Sequence, residues 1–156
     1  MKARLDAIDW KILRELQADG RMTNVELSRR VGISAPPCLR RVRSLEEAGL
    51  IDGYHARVNA RELGYEVMVF AMVSLKSQAE ESLRAFEAAM RDLPEVREVH
   101  MLNGEIDFIL KIVSRDLQSF QEFLTSKLTP APNVASVKTS LTIRTSKHEP
   151  GVPLEV

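Results

Sequence analysis

Apolar residues recur at helical spacing through the first fifty positions, then gather into near-continuous runs from position 66 onward. Leu5, Ile8, Ile12 and Leu16, with Leu13 beside them, trace one face of an amphipathic helix ending near Asp19-Gly20. A shorter helix follows with Leu27 and Val31 as its apolar stripe. Thr23-Asn24-Val25-Glu26 predicts a capping box at its start: the Thr hydroxyl accepts from a backbone N–H three residues on, and Glu26 reaches back. Gly32 ends it in a tight turn, because glycine takes the left-handed conformation without a Cβ clash. Ile33 plugs the space between the helices.

The third helix is expected from Ser34 to about Ala48, with Gly49 at its C-terminal cap. Pro36 and Pro37 fall in its first turn, where a missing N–H costs little. Projected at about 100° per residue, the helix separates into two faces. Cys38, Leu39, Val42, Leu45 and Gly49 lie on the packing side, which makes Cys38 a small core residue rather than a nucleophile. Pro36, Arg40, Arg43, Ser44 and Glu47 lie opposite, with Pro37 and Arg41 at the border. A Ser cap ordinarily accepts from its second or third successor. Here both donors are proline, so the Ser34 hydroxyl is free for a DNA phosphate, unless water takes it or the helix starts one residue later.

Beyond Gly49, Leu50–Val58 reads as an extended wing or linker strand, and Asn59–Tyr65 as a turn. Glu66–Lys76 is apolar on both alternating faces and must be covered on both sides. Leu83, Phe86, Met90 and Leu93 give a helix ending at Pro94. Val96–Leu102 and Ile106–Val113 read as strands joined at a Gly turn. Leu117, Phe120, Leu124 and Leu128 give a helix from about Asp116, and Val134–Ser146 a last strand. The fold class is α+β: an N-terminal (winged) helix-turn-helix plus a C-terminal ferredoxin-like βαββαβ domain. The boundaries read as 1–52 for the DNA-binding domain, 53–65 for a linker or hinge strand, 66–148 for the second domain and 149–156 for a loosely ordered tail. Both helices of such a domain lie on one face of its sheet, so a second subunit is expected to cover the other; a dimer also suits a helix-turn-helix reading two half-sites.

Charge sharpens this picture. The 156 residues carry no net charge, yet the first sixty have a basic excess of three and the remainder an acidic excess of three. Ser28–Leu45 holds Arg29, Arg30, Arg40, Arg41 and Arg43 and no acid. Net neutrality argues against unspecific polyanion binding, while a local basic patch permits a DNA face. A run of arginines alone is ordinarily a solvated face. Here the patch coincides with the motif. No apolar run approaches a membrane span, Met1–Trp10 lacks the apolar run of a secretory leader, and a single cysteine excludes an internal disulfide framework. His55, His100 and His148 have no ligand spacing with Cys38, and no catalytic or nucleotide-binding pattern is present, so neither metal, cofactor nor enzymatic activity is expected.

The runs NVELSRRVGIS (24–34) and PCLRRVRSLEEAGLI (37–51), with LDAIDWKIL (5–13), resemble the DNA-binding half of the Lrp/AsnC, or feast/famine, transcriptional regulators. The resemblance implies a cytoplasmic, nucleoid-associated protein that binds double-stranded DNA and an amino acid, forming homodimers that assemble further, often to octamers. On this reading Arg40, Arg43 and Ser44 meet base edges, while Ser34, Arg29, Arg30 and Arg41 hold phosphates beside Pro36 and Pro37. HMLNGEID (100–107) resembles the family's effector loop. An amino acid needs acceptors for its ammonium and backbone N–H groups for its carboxylate, and a Gly turn flanked by acids offers both. The resemblance implies effector contacts at Met101, Asn103, Gly104, Glu105 and Asp107, completed by Thr139, Ser140 and Thr142; as apolar residues, Met101, Leu102 and Leu141 read as core or interface ahead of ligand contacts. The same two-domain plan also resembles the sirohaem decarboxylases, which bind a tetrapyrrole and have little reason to display an arginine face.

Overall fold

The computed structural model describes residues 5–154. They form two compact units: one runs to Arg57 and takes in the chain again from Lys147, and the other spans Val58–Ser146.

In the first unit, α1 (Ala7–Ala18), α2 (Asn24–Val31) and α3 (Ala35–Glu47) close around Ile12, Leu27, Val31, Cys38 and Leu45, all buried. Each helix start follows from local chemistry. Asp6 and Asp9 make a reciprocal capping box at α1. Thr23 accepts from Glu26 N–H at 3.2 Å, but the expected return bond is absent from that cap, because the Glu26 carboxylate pairs with Arg29 and Arg30 instead. Gly32 has φ +80°, the left-handed turn read from the sequence. Helix α3 is capped by Ala48, with Gly49 N–H bonding Glu46 O and Leu50 N–H bonding Leu45 O; this places the glycine just past the cap, in a Schellman motif. Leu39 departs from the expected packing face and is 38% exposed. It lies about 100° round the helix from Cys38, whereas Val42 and Leu45 lie within about 40°.

The linker is not a strand: residues 52–59 carry no regular secondary structure. An extended segment without a ladder partner gains no cross-strand bonds. Tyr54 turns back onto the helices instead, its hydroxyl donating to Glu46 Oε1 at 2.9 Å and its ring lying over Gly20. The tail also departs from expectation by packing into this unit. Gln17 Nε2 donates to Val152 O at 2.7 Å, and Val152 N–H donates to Gln17 Oε1 at 3.1 Å. The surrounding groove, about 590 Å³, is lined by Leu13, Leu16, Leu50, Tyr54 and Leu154 among others.

The second unit is the expected βαββαβ: β1 (Val67–Leu75), α4 (Glu80–Arg91), β2 (Val96–Met101), β3 (Phe108–Ser114), α5 (Leu117–Phe123) and β4 (Val134–Leu141). The sheet order is β2-β3-β1-β4, every pairing antiparallel. Helix α5 runs on into a π-helical turn, Leu124–Leu128, that carries Leu128 into the core. Val69, Ala71, Val73 and Leu75 of β1 and Phe108, Leu110 and Ile112 of β3 face Phe86, Met90, Phe120 and Phe123 from the helices. Both helices therefore cover one face. Strand β4 stops at Leu141 rather than Ser146, because its last rung is Thr142 N–H to Met68 O and β1 begins at Val67. Strand β3 starts at Phe108, two residues later than expected, because the chain up to Asp107 is still curled in the loop. Among the described residues no helix is long and apolar enough to cross a membrane.

Candidate functional site

The first unit sets three arginine environments side by side. Arg40 and Arg43 stand exposed on the outer face of α3 and, among the described residues, enter no ion pair. Arg29 and Arg30, at the end of α2, pair with Glu26, and Arg30 Nη1 also meets Glu15 Oε2 at 3.2 Å. Exposed pairs of this kind are worth about 0–1 kcal/mol, so an incoming phosphate can displace them. Arg41 differs. Its Nη1 reaches Asp6 Oδ2 at 2.8 Å and Asp9 Oδ1 at 2.7 Å, both on the start of α1. The bonds Arg41 donates to Asp9 and Asp6 raise the guanidinium's pKa, and the pKa of the Asp6 carboxyl is lowered by its backbone bond from Asp9 and then by Arg41.

Ser34 caps α3 with extended backbone (φ −76°, ψ 158°) and makes no side-chain capping bond, as the two prolines dictate. Pro36 is exposed and Pro37 half-buried, and Ser44 is exposed beside Arg43. A clamp the sequence reading missed joins α2 to α3: Asn24 Nδ2 donates to Ala35 O at 2.8 Å and is part-buried. Asn24 stands first in α2, where a polar residue reads as an ordinary helix start, so the sequence carries no sign that it reaches eleven residues ahead.

In the second unit the loop residues Asn103, Gly104 and Glu105 are exposed, as is Met101. Asp107 is partly engaged within the chain. Its Oδ2 accepts from Leu75 N–H at 2.6 Å and lies 3.4 Å from Gln78 Nε2, so it ties the loop to the end of β1. The other expected contacts lie further off. Phe108 pairs with Val73, while Thr139 pairs with Ala71, Ser140 with Phe70, and Thr142 bonds Met68. At ~3.3 Å per residue, these three sit roughly 10–20 Å along the sheet from the loop. Thr139 and Ser140 also point to opposite faces, as neighbours on a strand must. One chain does not bring the two groups into a single pocket.

The sheet face away from the helices carries Met68, Phe70 and Met72 of β1 with Ile109 and Val113 of β3. Phe70 is 36% exposed. Glu98, His100 and Lys111 border this patch as one cluster, with Glu98 bonded to Lys111 at 2.8 Å and to His100 at 3.2 Å. Lys111 first, and then His100, hold the Glu98 carboxyl below its ordinary pKa against the opposing effect of burial. Among the described residues no three metal-ligating side chains cluster.

A helix-turn-helix unit and a ferredoxin-like unit in one chain have counterparts among known proteins. Residues 5–52 match the winged helix-turn-helix DNA-binding family, and residues 68–152 match the Lrp/AsnC ligand binding domain. The chain belongs to the Lrp/AsnC family. The leucine-responsive regulatory protein of Rhizobium meliloti (strain 1021) is 58% identical over 147 residues, 94% of each chain. The Bkd operon transcriptional regulator of Pseudomonas aeruginosa is 41% identical, covering 97% of this chain and 99% of its own. Among solved Lrp/AsnC-like structures, a transcriptional regulator from Neisseria meningitidis in complex with L-Met superposes with a TM-score of 0.92 at 36% identity, covering 97% of both chains. Helix α3 lies within the residues that match the DNA-binding family.

Proposed function

We propose that the chain is a non-enzymatic transcription regulator that reads a two-half-site DNA sequence with Arg40 and Arg43, and whose DNA binding is tuned by an amino acid. The observation that carries the reading is the pair of exposed arginines with no ion-pair partner among the described residues, on the outer face of a helix locked into a helix-turn-helix. Ser44 joins them at the base edges. Ser34, with no capping bond to make, takes a phosphate, and Arg29 and Arg30 exchange Glu26 for phosphates beside Pro36 and Pro37.

The loop Asn103-Gly104-Glu105 receives the effector, in keeping with the L-Met held by the Neisseria meningitidis neighbour. Because Thr139, Ser140 and Thr142 stand apart from that loop within one chain, they complete its pocket from another copy. The apolar sheet face around Phe70 is the surface on which the homodimer forms, and dimers assemble further to an octamer on the nucleoid, in the cytoplasm. Met101, 59% exposed, belongs to the same junction.

The test is fluorescence anisotropy on DNA upstream of the protein's own coding sequence, at two salt concentrations and with a panel of amino acids. Specific, salt-sensitive binding shifted about 5–150-fold by one amino acid is the expected outcome. Arg40→Ala and Arg43→Ala each cost about 1–3 kcal/mol and relax specificity; unchanged specificity in both removes α3 as the reader. Sedimentation velocity checks the assembly, and a pigment co-purifying with the protein would instead favour a tetrapyrrole enzyme.

A further inference from the structure

Arg41 is the arginine on α3 that does not face outward. It stands about 60° from Cys38 on the helix projection, at the edge of the packing face. Its partners are the two residues that build the α1 capping box. Asp6 Oδ1 accepts from Ile8 N–H and Asp9 N–H, each at 2.9 Å, and Asp9 Oδ2 accepts from Asp6 N–H at 3.1 Å. The remaining oxygens, Asp6 Oδ2 and Asp9 Oδ1, both accept from Arg41 Nη1. Every carboxylate oxygen of the cap is thus engaged, two by backbone and two by one nitrogen of the third helix. Asp9 is half-buried, and the Arg41 side chain is 36% exposed. Arg40 and Arg43 flank Arg41 in sequence but project outward.

We propose that Arg41 is a specificity-determining positioning residue: bound to Asp6 and Asp9, it sets the angle of α3 against the start of α1, and so aims Arg40 and Arg43 at base edges. The inference rests on the DNA-binding reading above and revises the phosphate role expected for Arg41 from sequence. Base readout demands side-chain placement within a fraction of an ångström, whereas backbone attraction tolerates small rotations of the helix. Loosening the anchor therefore removes discrimination and leaves nonspecific attraction in place. A phosphate ligand behaves in the opposite way: its loss weakens all sequences alike and lowers the salt dependence by about 0.9 per contact.

The experiment uses the full-length protein and a duplex enriched from a random-sequence pool by the wild type, with a shuffled duplex as control. Binding is followed across a salt series for Arg41→Gln, Arg41→Lys and the double variant Asp6→Asn/Asp9→Asn. Asn keeps a capping oxygen at both positions, and thermal melts verify that each variant is folded. The expected result is a loss of about tenfold in the specific-to-shuffled ratio for Arg41→Gln and for the Asn pair, with the salt slope unchanged. Arg41→Lys restores most of the ratio, since a single nitrogen makes both bonds. The proposal is overturned if Arg41→Gln lowers the slope by about 0.9 and weakens both duplexes equally, or if the Asn pair tightens binding by releasing Arg41 to phosphate. An unfolded Asn pair leaves the decision to Arg41→Gln and its slope. A wild type that enriches no sequence refutes the DNA-binding reading itself, which is a different failure.

Discussion

Gly151 holds the tail on the first unit, and replacing it with alanine tests how. Its φ is +72°, and a Cβ built there would overlap the amide oxygen of Gln17. The left-handed conformation costs a non-glycine residue about 1–2 kcal/mol. The overlap falls on the end of a flexible side chain, so Gln17 swings away and both bonds to Val152 go with it, at about 0.5–1.5 kcal/mol each. With those bonds gone, only the half-buried Leu154 is left to oppose the strain, so the tail undocks rather than bearing it. Global stability then falls only by the docking energy, and the larger signature is local. Conformational strain alone multiplies the undocked population about 5–30-fold, at 1.4 kcal/mol per factor of ten. Amide hydrogen exchange at Val152 reads this directly, and Gln17→Ala serves as the reference for a released tail. In the double variant Gly151→Ala adds almost nothing to Gln17→Ala, because the tail is already released and no longer bears the strain. Unaltered Val152 exchange in Gly151→Ala, with Gln17→Ala fast, would show that the glycine conformation contributes nothing to docking.

Packing and hydrogen bonding set three further outcomes. Asp107→Asn weakens a charge-assisted bond to the Leu75 N–H and costs about 1–2 kcal/mol in urea unfolding; a variant as stable as the wild type would mean that the loop is held by its backbone bonds alone. Phe108→Ala empties the centre of the second core, where the ring lies 4.8 Å from Phe86, and costs about 3–5 kcal/mol in thermal or urea unfolding; a loss below about 1 kcal/mol would contradict that packing. Tyr54 has its pKa pushed up to about 12, by burial first and by Glu46 second. An acid whose folded pKa is raised stabilises the fold fully below its unfolded value, near 10, and that contribution is lost as pH rises toward 12. The difference in tyrosinate absorbance between wild type and Tyr54→Phe should therefore titrate near 12, and Tyr54→Phe should flatten the alkaline loss of stability; a difference titration near 10 would refute the contact with Glu46.

Local chemistry was enough to read most elements from the chain. Helical periodicity at Ile8, Ile12 and Leu16, the Thr23 cap, the Gly32 turn and the proline pair after Ser34 act over a few residues, and each took the form its own neighbours dictate. The order of strands and helices in the second unit followed in the same way, because alternating and helical apolar patterns are set by backbone geometry. The outer face of α3 was legible for this reason too: Arg40 and Arg43 had only to point away from Cys38 and Leu45. Helix and strand bounds moved where a distant partner set them, as at β4, whose end is decided by where β1 begins.

Side-chain partnership across the chain was not legible. No pattern in the sequence ties Arg41 to Asp6 and Asp9, more than thirty residues away, whose carboxylates the fold brings to its guanidinium. The bond from Leu75 N–H to one oxygen of Asp107 was equally hidden, as was the register of β4 on β1 that carries Thr139, Ser140 and Thr142 away from the 103–105 loop. The tail read as a loose end, and Gln17 makes it part of the helical unit. Periodicity reports which way a side chain points from its own element. Which charge or amide waits there depends on the packing of elements remote in sequence, and only the tertiary structure decides that.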